Sequence, residues 1–170
     1  MITIRTARET DADKITTAEQ QIAAAPGLLV PRPHEYNVSD IRSKISQLSS
    51  MEGGFYVVAE SENEIVGHAL LEPMGLEAIR HIARLSIAVH PGHQAKGVGD
   101  ALLLNLMERA KNTSTSGRKL EKIELNVRAT NARAIRLYQR HGFQIEGRLV
   151  RRIKCEDGSY IDDLVMGLWL

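Results

Sequence analysis

The sequence has little of anything that would staple, anchor or polarise a chain. It holds a single cysteine, Cys155, so neither a disulfide framework nor a four-ligand zinc site can be assembled. Nothing beside Cys155 suggests a histidine partner, and it reads as a free thiol in a reducing compartment rather than a nucleophile. No apolar run approaches the length of a membrane span. Met1 to Arg8 alternates apolar and polar residues, unlike a signal peptide. The expectation is a cytoplasmic protein with no membrane partner. An excess of one charge is missing too. There are 22 basic and 21 acidic side chains, net +1, without the basic surplus of a dedicated nucleic-acid binder. Arg148, Arg151, Arg152 and Lys154 form a local basic patch. Internal repeats and dividing linkers are absent, so residues 1–170 read as one domain with room for a core. With 43% hydrophobic and 25% charged residues, that domain is of ordinary globular type.

What is present is a regular alternation of strand and helix signals. Ile2 and Ile4 alternate with Thr3 and Arg5, the period of a strand. Thr10 or Asp11 can cap a helix carrying Ile15, Ala18 and Ile22, which Pro26 and Gly27 end. Pro31 to His34 is a loop, and Ser39 or Asp40 can cap a second helix with the stripe Ile41, Ile45, Leu48, closed by Gly53-Gly54. Phe55–Glu60 and Ile65–Glu72 predict a hairpin, and Ile82–Val89 a further strand. Val98, Leu102, Leu106 and Ala110 lie four apart, with Leu103 and Met107 widening the stripe. Asn112 to Gly117 is polar and reads as a loop. Ile123, Leu125 and Val127 alternate as a strand. Thr130 or Asn131 caps a short helix that Gly142 ends. Gln144–Lys154 and Ser159–Leu170 flank Glu156-Asp157-Gly158, a hairpin signal. The order β-α-α-β-β-β-α-β-α-β-β predicts one mixed, mostly antiparallel sheet with helices on its faces. Ile82 to Val127 should form a right-handed parallel crossover.

The stretch from Ile87 to Asp100 carries the chemistry. A strand stops at Pro91-Gly92, and a helix starts within a turn holding Gly97 and Gly99. The first turn of a helix has N–H groups without partners and a positive dipole end. Glycines let a diphosphate approach such a backbone. A P-loop would need Lys followed by Ser or Thr after its last glycine, and Val98-Gly99 follow instead. A dinucleotide motif would need a third glycine where Leu102 stands. An ATP- or NAD-binding enzyme is thereby disfavoured.

The pattern that fits is Gln/Arg-x-x-Gly-x-Gly/Ala, met by Gln94, Gly97 and Gly99. A second run, Asn131-Ala132-Arg133-Ala134-Ile135-Arg136-Leu137-Tyr138-Gln139-Arg140-His141-Gly142-Phe143, fits N-x-x-A-x-x-x-Y-x-x-x-G-F. In both motifs and their order the chain resembles the GCN5-related N-acetyltransferase (GNAT) family, over nearly its whole length. The resemblance implies an α/β (α+β) GNAT fold, with about seven strands and about four helices. It implies acetyl-coenzyme A as cosubstrate and no metal. Backbone groups of Gln94, Ala95, Lys96, Gly97, Val98, Gly99 and Asp100 would cradle its pyrophosphate. Ile87, Ala88 and Val89 would bond its pantetheine arm, together with Asn131 and Ala134. Tyr138 would be the general acid, since a phenol can protonate a departing thiolate. Pairing of late strands in family members implies a homodimer.

The attacking amine must lose a proton, and here the sequence departs from its nearest motif relatives. Asn126-Val127-Arg128-Ala129-Thr130-Asn131 resembles the E-V-R-A-S-N of ribosomal-protein alanine acetyltransferases, in which the glutamate is the base. Asn126 has no basicity. Glu124, two residues earlier on the same strand face, is the expected substitute, acting through water. Glu72, His68 and His81 are further candidates. Arg151 to Met166 also resembles a subgroup of small uncharacterised GNAT proteins. The expected reaction is direct attack of a primary amine in a ternary complex. The acceptor could be a protein N-terminus, a polyamine, an amino acid or an aminoglycoside-like amine. Pro31 to Asn37 is a candidate wall of its pocket. The alternative is a non-catalytic acyl-coenzyme A sensor, which Tyr138 disfavours and Asn126 favours.

Overall fold

The computed structural model describes residues 1–25, 27–115 and 117–170, apart from the side chains at 115 and 118. The element order is β1 (Thr3–Thr6), α1 (Ala12–Ala23), α2 (Val38–Ser50), β2 (Phe55–Ser61), β3 (Glu64–Pro73), β4 (Ile82–Val89), α3 (Val98–Lys111), β5 (Ser114–Thr115), β6 (Arg118–Lys119), β7 (Lys122–Arg128), α4 (Ala132–Arg140), β8 (Gln144–Lys154) and β9 (Tyr160–Trp169). Seven strands form one sheet in the order β1-β2-β3-β4-β7-β9-β8. All its pairings are antiparallel except β4 with β7. This is the mixed sheet and four-helix set that the motif spacing predicts.

Two hydrophobic cores cover the two faces. Leu102, Leu103 and Leu106 of α3 are fully buried against Val57, Leu71, Ile123 and Leu125, and α4 joins that core through Tyr138. Each such leucine contributes about 1.5–3 kcal/mol. Ile15 of α1 with Ile45 and Leu48 of α2 cover Tyr56, Val58 and Ile65. A β-bulge between Ala59 and Glu60 pairs Gly67 and Ile65 with successive residues and leaves Val66 extra. A bulge re-aims the side chains around it. Here it accompanies Ile65 and His68, three apart, both bearing on the α1 side.

Three local expectations need correction, and a fourth is untested. The cap of α2 is neither Ser39 nor Asp40 but Asn37, whose Oδ1 accepts the Asp40 N–H at 2.9 Å. Asp11 precedes α1 without capping it. Its carboxylate takes the Arg8 N–H at 2.7 Å and both arms of Arg5 at 2.7 and 3.0 Å, because a guanidinium fork suits a carboxylate better than a helix end does. The Asn112–Gly117 segment is not wholly loop, since Ser114–Thr115 pairs with Arg118–Lys119. The helix end assigned to Pro26 lies outside the described residues. Among the described residues, no helix is long and apolar enough to cross a membrane.

Candidate active site

The parallel pair at the centre of the sheet is incomplete, and the site is built on that gap. β4 and β7 are in register only at Ile82–Lys122, Ala83–Ile123 and Arg84–Glu124. Beyond these the strands part, although β4 runs on to Val89 and β7 to Arg128. The edge of β4 facing β7 is left without a strand partner, and backbone amides there need another hydrogen-bonding group. A cavity of about 520 Å³ opens at the parting, lined among others by Ile87, Ala88, Asn126, Asn131, Ala134 and Tyr138.

The turn after β4 is shaped by backbone conformation rather than by charge. Gly97 caps α3 with φ +81°, a left-handed conformation that a side chain resists, and no side chain caps the helix. The first N–H groups of α3 are thus bare. At Gly99 a Cβ would stand 3.1 Å from Leu137 Cδ2, so glycine lets α3 and α4 approach. Ala95 also has positive φ, +62°, a strained position of the kind stored at ligand loops. The Gln94 side chain holds the turn from within: Oε1 accepts the Gly92 N–H at 3.1 Å, and Nε2 donates to the Val89 carbonyl at 3.4 Å. The charge of Asp100, in the first turn of α3, is met by α4. Arg140 Nη2 binds both its oxygens, at 2.8 and 3.0 Å, and His141 Nε2 is 2.9 Å away. The His141 bond and then Arg140 hold this carboxyl below the usual range despite some desolvation. An exposed cation, Lys96, completes the turn. A strand edge without a partner leading to uncapped helix amides fits a ligand with a long amide-bearing arm and a diphosphate.

On α4, Asn131 Oδ1 accepts the Ala134 N–H at 3.1 Å and so caps the helix. Tyr138 is buried, its ring 5.6 Å from that of Phe143, and its hydroxyl makes no hydrogen bond among the described residues. Burial pushes its pKa up to about 12, which keeps the proton available at any physiological pH.

Glu124 does not join this group. It lies where β4 and β7 are still paired, and its Oε1 takes Lys122 Nζ at 2.9 Å. Glu72 pairs with Lys44 at 3.0 Å. His81 stacks on Trp169, at the closed end of the parallel pair. None of the three lines the cavity. Three carboxylates do, Glu19, Glu35 and Asp40, and of these Glu19 is the one bonded to a buried histidine. Its Oε1 lies 2.7 Å from His68 Nε2. His68 Nδ1 is in turn 3.0 Å from His90 Nε2, and His90 Nδ1 is 2.9 Å from the Ile65 carbonyl. Burial pushes the Glu19 pKa up, but the His68 bond and charge and the Tyr36 hydroxyl outweigh it, and the carboxyl titrates below its ordinary range.

Glu19, His90 and Arg128 are missed by sequence reasoning. Glu19 had a signal: it falls four residues after Ile15, on the buried stripe of α1. Arg128 lines the cavity and forms an ion pair with Asp163, both buried, while its Nη1 has no hydrogen-bond partner among the described residues. Pro31, Glu35 and Tyr36, from the loop read in the sequence as a candidate wall of the acceptor pocket, also line the cavity. Among the described residues, no cluster of His, Cys, Asp and Glu could hold a metal.

A strand edge and helix end of this kind, beside a buried phenol, define a group-transfer enzyme that takes its donor from a diphosphate-bearing thioester carrier. The chain belongs to the acetyltransferase (GNAT) family, whose model matches residues 18–143. It is 29% identical to the L-amino acid N-acetyltransferase AaaT of Escherichia coli (strain K12), over 97% of this chain and 96% of that one. The ribosomal-protein-alanine N-acetyltransferase of Brucella melitensis has the same fold, with a TM-score of 0.87 and 25% identity over 99% of each chain. So does the phosphinothricin acetyltransferase of Sinorhizobium meliloti, solved with acetyl-coenzyme A, with a TM-score of 0.88 and 22% identity over 99% of this chain and 88% of that one. The protein is an acetyltransferase that uses acetyl-coenzyme A and an amine acceptor.

Proposed function

We propose that residues 1–170 form one acetyltransferase domain that acetylates the α-amine of amino-acid-like acceptors by direct attack in a ternary complex. The observation that carries this reading is the cavity in which Glu19, Arg128 and Tyr138 converge beside the open edge of β4. Acetyl-coenzyme A supplies the acetyl group as a thioester. The amides of residues 95–100 hold its pyrophosphate, the Ile87–Val89 edge with Asn131 and Ala134 holds its arm, and a β4 N–H polarises the carbonyl oxygen. Glu19 takes the amine proton, a role favoured over Glu124 because Glu19 lines the cavity and is held ionised. Tyr138 returns a proton to the departing sulfur.

The amino-acid preference is supported by the relative matched over nearly full length, an L-amino acid N-acetyltransferase, and by the unpartnered Nη1 of Arg128. A buried guanidinium N–H without an acceptor is costly, and a substrate carboxylate would satisfy it. We infer a cytoplasmic homodimer joined through β8, an edge strand with Ile145, Leu149 and Val150 exposed.

The test is thiol release from acetyl-coenzyme A with L-amino acids and with their carboxamides. The acids should be preferred by about tenfold or more in kcat/KM, the worth of one charge-assisted hydrogen bond. Equal use of acids and amides would reject the carboxylate contact. Binding of coenzyme A without turnover of any amine would favour a sensor instead.

A further inference from the structure

The row of buried groups that ends on Glu19 is longer than a base requires. Glu19 lines the main cavity, His68 is 3% exposed with both ring nitrogens engaged, and His90 lines a second cavity. That second cavity is about 400 Å³ and open to solvent, walled by Lys14, Thr17, Gln21, Glu64 and His93 among others. The three side chains come from α1, from β3 and from the residue after β4, which are far apart in sequence, yet successive polar atoms are 2.7 and 3.0 Å apart. A single ion pair would have pinned α1 to the sheet. The second histidine adds a polar group that burial penalises.

The hydrogen-bond roles in this row are constrained. The Ile65 carbonyl only accepts, so His90 carries its proton on Nδ1. Burial, with the neighbouring His68 adding to it, pulls the His90 pKa down to about 4, so that ring is neutral at physiological pH. Its Nε2 is therefore an acceptor, and His68 Nδ1–H donates to it. One further proton lies between His68 Nε2 and Glu19 Oε1. The other groups around the row are Tyr36 and Tyr56 beside Glu19, both raised in pKa first by burial and then by that carboxylate. Near His90 there are His93, which faces Glu64 at 3.9 Å, and Lys14. Among the described residues, no lysine or arginine forms an ion pair with Glu19, whose one ion-pair partner is His68.

We propose that Glu19, His68 and His90 form a proton wire that carries the acceptor's proton out of the reaction cleft into the second cavity. It rests on Glu19 being the base. The amine N–H bond breaks as the Glu19 carboxylate takes its proton. His68, whose Nε2 shares the further proton with Glu19, gives its Nδ1 proton to His90 Nε2. The His90 imidazolium, disfavoured in its buried setting, gives up its Nδ1 proton, beside the Ile65 carbonyl, to water in the second cavity, and turning over of the two rings restores the starting tautomers for the next cycle. One proton enters and one leaves, and the Glu19–His68 pair keeps its net charge. The route lets the cleft stay closed by acceptor and coenzyme while the proton departs. His68 and His90 act through Glu19 and are positioning and relay residues.

The experiment is chemical rescue of His90→Ala through the second cavity, with His90→Gln as a variant that fills more of the site but carries no proton. Coenzyme A binding and thermal melting establish that each is folded. Both should lose about ten- to a hundredfold in kcat with little change in acceptor KM. Imidazole should restore His90→Ala by at least about fivefold, in proportion to its free-base concentration, whereas pyrazole, of the same shape but not basic, should not. Rescue by both molecules alike, or an unchanged kcat in both variants, overturns the wire and leaves a packing role. If Glu19→Gln retains wild-type turnover, the base assignment itself fails. If Glu19→Gln is inactive while His90→Ala and His90→Gln are unaffected, the base stands and the wire falls.

Discussion

The two halves of the cleft are encoded in different ways. The half proposed for the coenzyme is one contiguous stretch, Ile87 to Asp100, plus one helix, and most of what it offers is backbone: the open β4 edge and the uncapped amides of α3. The half proposed for the acceptor is assembled from α1, the Leu28–Tyr36 connection, β3 and β7 among others, and what it offers is side chains. A diphosphate can be held by amides that every residue carries, so the sequence need only mark the turn, with Gly97 and Gly99. A particular amine needs carboxylate, phenol and guanidinium in set places, and those arrive from positions that no local motif connects.

Substitutions on the acceptor side should change turnover and leave coenzyme affinity alone, and those in the turn should do the reverse. The largest effect should come from Glu19→Gln, with kcat lower by about a hundred- to a thousandfold and the coenzyme A Kd unchanged by titration calorimetry. A parallel loss of coenzyme affinity would break the division. Next, Tyr138→Phe should lower kcat by about a hundredfold. The pH profile of the wild type sharpens this. Burial holds the Tyr138 proton to about pH 12, so rising pH should not remove the general acid below pH 10. Glu19 titrates below the ordinary carboxylate range, so activity that needs its ionised form is lost only on the acid side of that range. A fall centred near neutral pH would point to another base.

Smaller effects belong to the turn. Gly97→Val forces a branched side chain into left-handed backbone at a cost of about 1–2 kcal/mol. It should weaken coenzyme A binding about five- to thirtyfold without moving the acceptor KM at saturating coenzyme. The smallest effect should be Ala95→Gly. It relieves the +62° φ, which is worth about 1 kcal/mol, and should raise Tm by a few degrees. The freed turn should bind coenzyme slightly more weakly. An affinity gain would show that Ala95 is a burden rather than a preset.

The same contrast explains what was legible in the sequence. Ile82–Val89 and Val98–Lys111 sit within the predicted bounds because strong periodicity and the Pro91-Gly92 and Gly97 breaks agree there. The two motifs mark the turn before α3 and Tyr138, and Tyr138 lines the same cavity as Ile87 and Ala88 of the open edge. Glu124 illustrates the limit. Alternation correctly puts it on the face of Asn126, but nothing local says that β4 and β7 still pair at Arg84–Glu124 and part only afterwards. Lys122 and Glu146, a β8 residue, then surround it. Glu19, His68 and His90 meet only when α1, β3 and the end of β4 are packed, so the juxtaposition of residues with successive spacings of 49 and 22 had no local signature, although Glu19 lies on the buried stripe of α1.

The account depends most on where the acceptor nitrogen sits when the coenzyme is in place. A crystal structure with an L-amino acid and a non-hydrolysable acetyl-coenzyme A analogue measures this directly. The pyrophosphate is predicted on the amides of residues 95–100, and the amine within about 3.5 Å of the acyl carbon, contacting Glu19 directly or through one water. An amine placed against Glu124, with Glu19 left to its histidine alone, would contradict it.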